Sequence, residues 1–144
     1  CVEEKNRSWC SSSSANDQRA VTIECASDLN HPYAMTTAVY NSLVKLCTDI
    51  CKRNGKKKLL WLGDKNKTLN YSPKSDEMVL TVHRWFANKS CPGDWLYSRL
   101  GDLASKVTAA LGGLVFRFDR LGFIPCPQKL VGCQEPEGSF QQSG

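Results

Sequence analysis

Histidine is nearly missing from this 144-residue chain, where only His31 and His83 occur. Chemistry that needs an imidazole as ligand, base or acid is therefore confined to two positions. No apolar run approaches the roughly 20 residues that a bilayer span requires, and the helix-like stretches carry Lys, Arg and Asp throughout, so no membrane span is expected. There is no Gly-rich loop to cradle a phosphate, no Ser-His-Asp signature, and no interleaving of basic and aromatic residues of the kind that binds nucleic acid. Nucleic acid is not expected as a partner. Collagen, coiled-coil and multidomain organisations are excluded by length and pattern. The opening residues CVEEKNRSWC are charged and lack an apolar core, so no signal peptide is visible and the start reads as a cut end.

What the chain does have is enough apolar material for one core, at 41% hydrophobic against 23% charged residues. Nineteen Lys and Arg against fourteen Asp and Glu leave a charge of +5, which favours an anionic surface but is too small to demonstrate nucleic-acid binding. Eight cysteines form an even set, which in a short secreted chain suggests four bridges. Their placement points the other way. Cys47 and Cys51 lie four apart on a helical stripe and Cys25 ends an apolar run, positions where thiols act as small hydrophobes in a reducing compartment. Cys1, Cys10, Cys91, Cys126 and Cys133 complete the set, and pairing among Cys1, Cys126 and Cys133 at the weakly patterned ends stays open.

Residues 1–19 are polar and read as loop or edge, with the serine run Ser11 to Ser14 unable to pack a face. Val21, Ile23 and Cys25 alternate with polar residues, which predicts a central strand. The sequence Asp28-Leu29-Asn30-His31-Pro32 is turn chemistry. From Thr36 to Asn54, the stripe Val39, Leu43, Leu46, Cys47, Ile50 and Cys51 predicts a helix capped by Thr36 or Thr37 and stopped by Gly55. Leu59 to Leu62 then reads as a strand, giving β-α-β order and a partly parallel sheet. Residues 63–77 read as a polar surface loop and 78–82 as a strand ending at His83. After Cys91-Pro92-Gly93, Asp94 is placed as the cap of a helix carrying Leu96, Leu100, Leu103, Val107 and Leu111, with Gly112-Gly113 as its stop. The expectation is an α/β fold with a mixed, partly parallel central sheet flanked by helices over residues 1–111. Residues 112–144 form a weakly patterned extension, loose from Gly132 onward.

The stretch His83-Arg84-Trp85-Phe86-Ala87-Asn88-Lys89-Ser90-Cys91-Pro92-Gly93 holds the chemistry. It sets an imidazole at the end of a strand and a thiol eight residues later, before a helix start, so that both can face one sheet edge. Imidazole and thiolate are zinc donors, and Pro-Gly fixes the turn behind the sulfur. Lys89, two residues before Cys91, is placed to stabilise an oxyanion; taken alone it is a solvated loop lysine. Tyr33 and Trp85 read first as packing residues, Glu24 as a solvated carboxylate, and Lys56-Lys57-Lys58 as a solvated helix end.

His83-Arg84-Trp85-Phe86, Lys89 and Cys91-Pro92-Gly93, together with NDQRAVTIE at residues 16–24 and DICKRNG at 49–55, resemble the N-acetylmuramoyl-L-alanine amidases of phage endolysins. That family shares its fold with amidase-type phage lysozymes and peptidoglycan recognition proteins. The resemblance runs from about Val2 to about Leu111. It implies a Zn²⁺ ion held by two His and one Cys, whose water hydrolyses the amide between N-acetylmuramic acid and the L-alanine of the stem peptide. By this resemblance His83 and Cys91 are metal ligands and Lys89 the transition-state stabiliser. Peptidoglycan is then the partner, and the implied setting is the host cytoplasm before lysis and the cell wall during it.

The chain also departs from the family pattern. The family's first His ligand and its catalytic Tyr belong to strands upstream of the segment that begins here as CVEEKNRSW, and neither position has a match. His31, in Asn30-His31-Pro32-Tyr33, falls in a loop of the family pattern rather than at the metal. The resemblance therefore implies weak zinc binding and little amidase activity from these residues. Two further readings stay open: a non-catalytic peptidoglycan-binding module with a degenerate metal site, and a small basic secreted protein stapled by disulfides.

Overall fold

The computed structural model describes residues 3–112. Cys1, Cys126, Cys133 and the extension from residue 113 lie outside them, as do the expectations that fall there. In chain order the elements are α1 (Ser14–Asp17), α2 (Thr37–Arg53), β1 (Lys58–Leu60), α3 (Lys65–Leu69), β2 (Glu77–Val79), a 3-10 turn at His83–Trp85, α4 (Asp94–Tyr97) and α5 (Leu100–Leu111). Among the described residues no helix is long and apolar enough to cross a membrane.

Local chemistry sets both ends of α2. Thr36 Oγ1 accepts the Val39 amide at 3.3 Å, satisfying one of the donors a helix start leaves open. At the far end Gly55 takes φ +65°, and the Lys56 and Gly55 amides bond the Cys51 and Lys52 carbonyls at 2.8 and 3.1 Å. This paired closure needs a left-handed residue, which glycine supplies without a Cβ clash. Tyr40, Leu43, Cys47, Ile50 and Cys51 are buried, whereas Leu46 stays 42% exposed at the edge of the stripe.

The sheet has two strands among the described residues, β1 and β2. They run parallel, with Lys58 opposite Glu77, Leu59 opposite Met78 and Leu60 opposite Val79. The parallel pair requires a crossover, and α3 lies within it, started by the Asp64 carboxylate on the Lys67 amide at 2.8 Å. Part of the expected surface loop is therefore helical. Residues 21–25 do not join the sheet. Their alternation is sound, but Val21 and Ile23 each remain 37% exposed, so the apolar face has little to bury against.

The core forms where α5 packs on α2 and β1. Val107 is fully buried and Leu103 nearly so, against Cys47, Cys51 and Leu59. Each such side chain contributes about 1.5–3 kcal/mol by leaving water. The helix expected over 94–111 is broken at Ser98 and Arg99. Arg99 leaves helical geometry, its guanidinium lies 4.1 Å from the centre of the Trp95 ring, and it donates to the Trp95 carbonyl at 2.9 Å. The side chain thus satisfies a carbonyl at the end of α4, and Gly93 rather than Asp94 is the cap residue.

Candidate functional site

Beyond β2 the chain continues through buried Val82 to His83, which opens the 3-10 turn. Trp85 anchors that turn. It is 9% exposed and stacks on Trp61 with ring centres 5.0 Å apart, and Trp61 in turn meets Tyr97 edge-on at 5.5 Å. Trp85 is a packing residue, and burial of its ring fixes where the turn sits.

From there the chain arches outward and returns. The Arg84 amide donates to the Cys91 carbonyl at 3.1 Å, closing the arch at its neck. His83 and Cys91 are thereby carried on adjoining backbone at the two feet. Arg84 reinforces the closure: its guanidinium donates to the Ser90 carbonyl and pairs with the Asp94 carboxylate at 2.9 Å, above the Tyr97 ring. Lys89 rides on the arch, exposed, its amide bonded to the Ala87 carbonyl at 2.8 Å.

A second loop braces the Cys91 side. Residues 28–34 close through the Asp28 amide on the Ala34 carbonyl at 2.8 Å, and the Trp95 amide donates to the Pro32 carbonyl at 3.1 Å. His31 Nε2 pairs with Asp94 Oδ2 at 2.7 Å. Asp94 thus holds His31 and Arg84 together, and its hydrogen bonds with these two side chains keep its carboxyl below the usual aspartate range, His31 contributing most. The two histidines have different partners, since His31 is tied to Asp94 and His83 Nε2 lies 3.1 Å from Ser12 Oγ. Neither the Arg84–Asp94–His31 clasp nor Ser12 was foreseen from sequence. The clasp spans 63 residues and Ser12 lies 71 residues from His83 in a serine run, so no local pattern marks either.

Cys91 is exposed at the residue level, yet partial burial of its thiol and the nearby Glu24 carboxylate raise its pKa, with Arg84 opposing. Without a cation the sulfur keeps its proton, and a metal ion would have to displace it. Cys25 is raised in the same way, by burial, Glu24 and Cys91. Among the described residues no three His, Cys, Asp or Glu side chains are grouped so as to hold a metal ion. His83 and Cys91 suit zinc in kind, as imidazole and thiol, but a catalytic zinc takes three protein ligands and two are matched here. A cavity of about 600 Å³ lies elsewhere, lined by Glu4, Arg7, Arg19 and Arg53 among others and by neither candidate ligand.

No protein-family model, curated protein or solved structure matches this chain.

Proposed function

We propose that this chain is a peptidoglycan amidase domain, with His83 and Cys91 as two protein ligands of a zinc ion and Lys89 as the stabiliser of the transition state. The observation that supports it most is the Arg84–Cys91 backbone bond, which closes the arch with residues 83 and 91 on adjoining backbone and Lys89 in the loop between them. The amidase resemblance of residues 83–93 then names the substrate class: the amide joining the muramic acid lactyl group to L-alanine. The central sheet flanked by helices belongs to the same reading, as do action at the bacterial cell wall and residence in the host cytoplasm before lysis.

Zinc, when bound, supplies a water acidic enough to act as nucleophile at neutral pH. The chain's own residues provide the rest. Lys89 offers a positive charge on the exposed arch, where an amide oxygen gaining negative charge can reach it. Arg84, locked to Ser90 and Asp94, holds the arch in shape and spends its charge internally. The third ligand and the proton-handling Tyr that the resemblance asks for have no match in this chain, so weak zinc affinity and little hydrolysis are expected of these 144 residues.

Retention on purified peptidoglycan, with and without a chelator, tests the reading. The amidase account expects retention that a chelator lowers and that His83→Ala lowers equally. Retention indifferent to both would overturn it in favour of a metal-free wall-binding module.

A further inference from the structure

We propose that the cleft between the N-terminal segment and the end of α2 binds a small oxyanion, a carboxylate or phosphate group, held by the guanidinium groups of Arg7 and Arg19. The cleft is separate from His83 and Cys91, and the inference stands whether or not the amidase reading does.

The cleft encloses about 600 Å³, within the range of sites that take small molecules. Polar bonds set its walls. On one side residues 3–7 turn back through the Asn6 amide, which donates to the Glu3 carbonyl at 2.8 Å. Glu4 ties this turn to the end of α2, accepting from Arg53 Nη2 at 2.7 Å and from the side-chain amide of Asn54. On the other side lie residues 17–21, which follow α1. There Asp17 is only 3% exposed and accepts the Ser11 amide and hydroxyl at 3.1 and 2.6 Å.

Four cations and three carboxylates line this space, and their bonds sort them. Each carboxylate already has a partner within the chain: Glu3 has Lys5 at 2.8 Å, Glu4 has Arg53, and Asp17 is committed to Ser11. Arg53 is further paired with Asp49. Two cations are left. Among the described residues no carboxylate pairs with Arg7 or Arg19.

Arg7 is half-buried and held in place. Its guanidinium lies 3.6 Å from the centre of the Trp9 ring, and Nη2 donates to Ser14 Oγ at 3.2 Å. Trp9 itself stays 80% exposed, so its contact with Arg7 places the guanidinium rather than filling a core. The buried Nε of Arg7 has no acceptor among the described residues. Buried polar groups are ordinarily bonded, and an arginine fixed this way on a cleft wall is suited to an acceptor from outside the chain. A guanidinium fork matches two oxygens of one carboxylate or phosphate, a fit that a spherical anion does not offer.

The test is NMR of the arginine Nε–H groups of the full chain, titrated with inorganic phosphate or with succinate while sodium chloride keeps the ionic strength constant. The Arg7 and Arg19 signals should shift saturably, and the anion that binds tighter identifies the group as phosphate or carboxylate. Affinity should fall about tenfold in Arg19→Gln, and equally in Arg7→Lys, which keeps the charge but lacks the fork. It should stay within about twofold in Lys65→Gln, which removes an exposed charge outside the cleft. Arg19 is exposed, so Arg19→Gln carries the test even where Arg7→Lys disturbs the turn. No saturable shift with either anion, or an equal loss in Lys65→Gln and Arg19→Gln, overturns the proposal.

Discussion

Gly93 lies so close to Tyr33 that a Cβ on the glycine would stand 2.8 Å from the Tyr33 Cβ and 3.3 Å from the Pro32 carbonyl oxygen. Gly93 also has φ +83°, so a side chain there is strained by the backbone as well as by the contact. Through this contact the 28–34 loop presses on the turn that carries Cys91. Gly93→Ala should destabilise the fold by about 2–4 kcal/mol, the sum of left-handed strain and overpacking. Urea unfolding measures it, and a loss under 1 kcal/mol would show that the two loops separate without cost.

A second contact ties the sheet to the core helix. Thr108 Oγ1 accepts the Leu59 amide at 3.0 Å and donates to the Leu59 carbonyl at 3.1 Å, so one hydroxyl satisfies both backbone groups of a buried strand residue. Thr108→Val keeps the volume and removes both bonds. It should cost about 1–3 kcal/mol, because an unpaired buried polar group loses more than a hydrogen bond gains. Thr108→Ser, which keeps the hydroxyl, should recover most of that loss in the same unfolding experiment.

Stability should fall on the acid side. Asp94, through His31 and then Arg84, and Asp102, through Lys106 and then Tyr40, are held below the ordinary aspartate value of 3.8. Glu77 is held below 4.5 by the Lys74 amide and then the Tyr71 hydroxyl. A carboxyl lowered by folding stabilises above its unfolded value, and that contribution is lost as pH drops through the lower folded value. Thermal unfolding between pH 5 and pH 2 should therefore steepen downward below about pH 4. Glu77→Gln with Asp94→Asn should flatten that limb, and an unchanged limb would place the acid sensitivity on other groups.

The cysteines should react in order of exposure. Cys10 and Cys91 are exposed, while Cys47 and Cys51 are buried, and burial followed by Cys51 and Cys25 pushes the Cys47 thiol up to about 11. Iodoacetamide labelling of the native protein at pH 8, mapped by mass spectrometry, should among the cysteines of the described residues modify Cys10 and Cys91 first. Cys47 and Cys51 should label only after unfolding. Early labelling of Cys47 would mean that α2 opens readily from α5.

The parts legible in sequence are those whose causes are local. Thr36, the apolar stripe and Gly55 each act within one or two turns, and together they delimit α2. The parallel character of the sheet was also legible, though the pairing is β1 with β2 across α3 rather than residues 21–25 with 59–62. Alternation at Val21, Ile23 and Cys25 describes a strand's faces but not its partner, and the ladder partner is a non-local property. The break before α5 escaped because Arg99 turns back onto Trp95, an option that apolar spacing does not encode. At the candidate site, spacing marked His83 and Cys91, and the Arg84–Cys91 backbone bond puts them on adjoining backbone. What holds them there, Arg84 with Asp94 on one side and Ser12 with Asp17 and Thr81 on the other, is built from ordinary polar residues far apart in the chain.

Cobalt titration of the full chain tests the central claim most directly, because a thiolate bound to Co²⁺ gives a charge-transfer absorption that reports its own ligand. The account predicts that this band forms in the wild type and in His31→Ala, and is lost in both Cys91→Ser and His83→Ala. A band that survives those two substitutions, or one that disappears with His31→Ala, would contradict a metal site shared by His83 and Cys91.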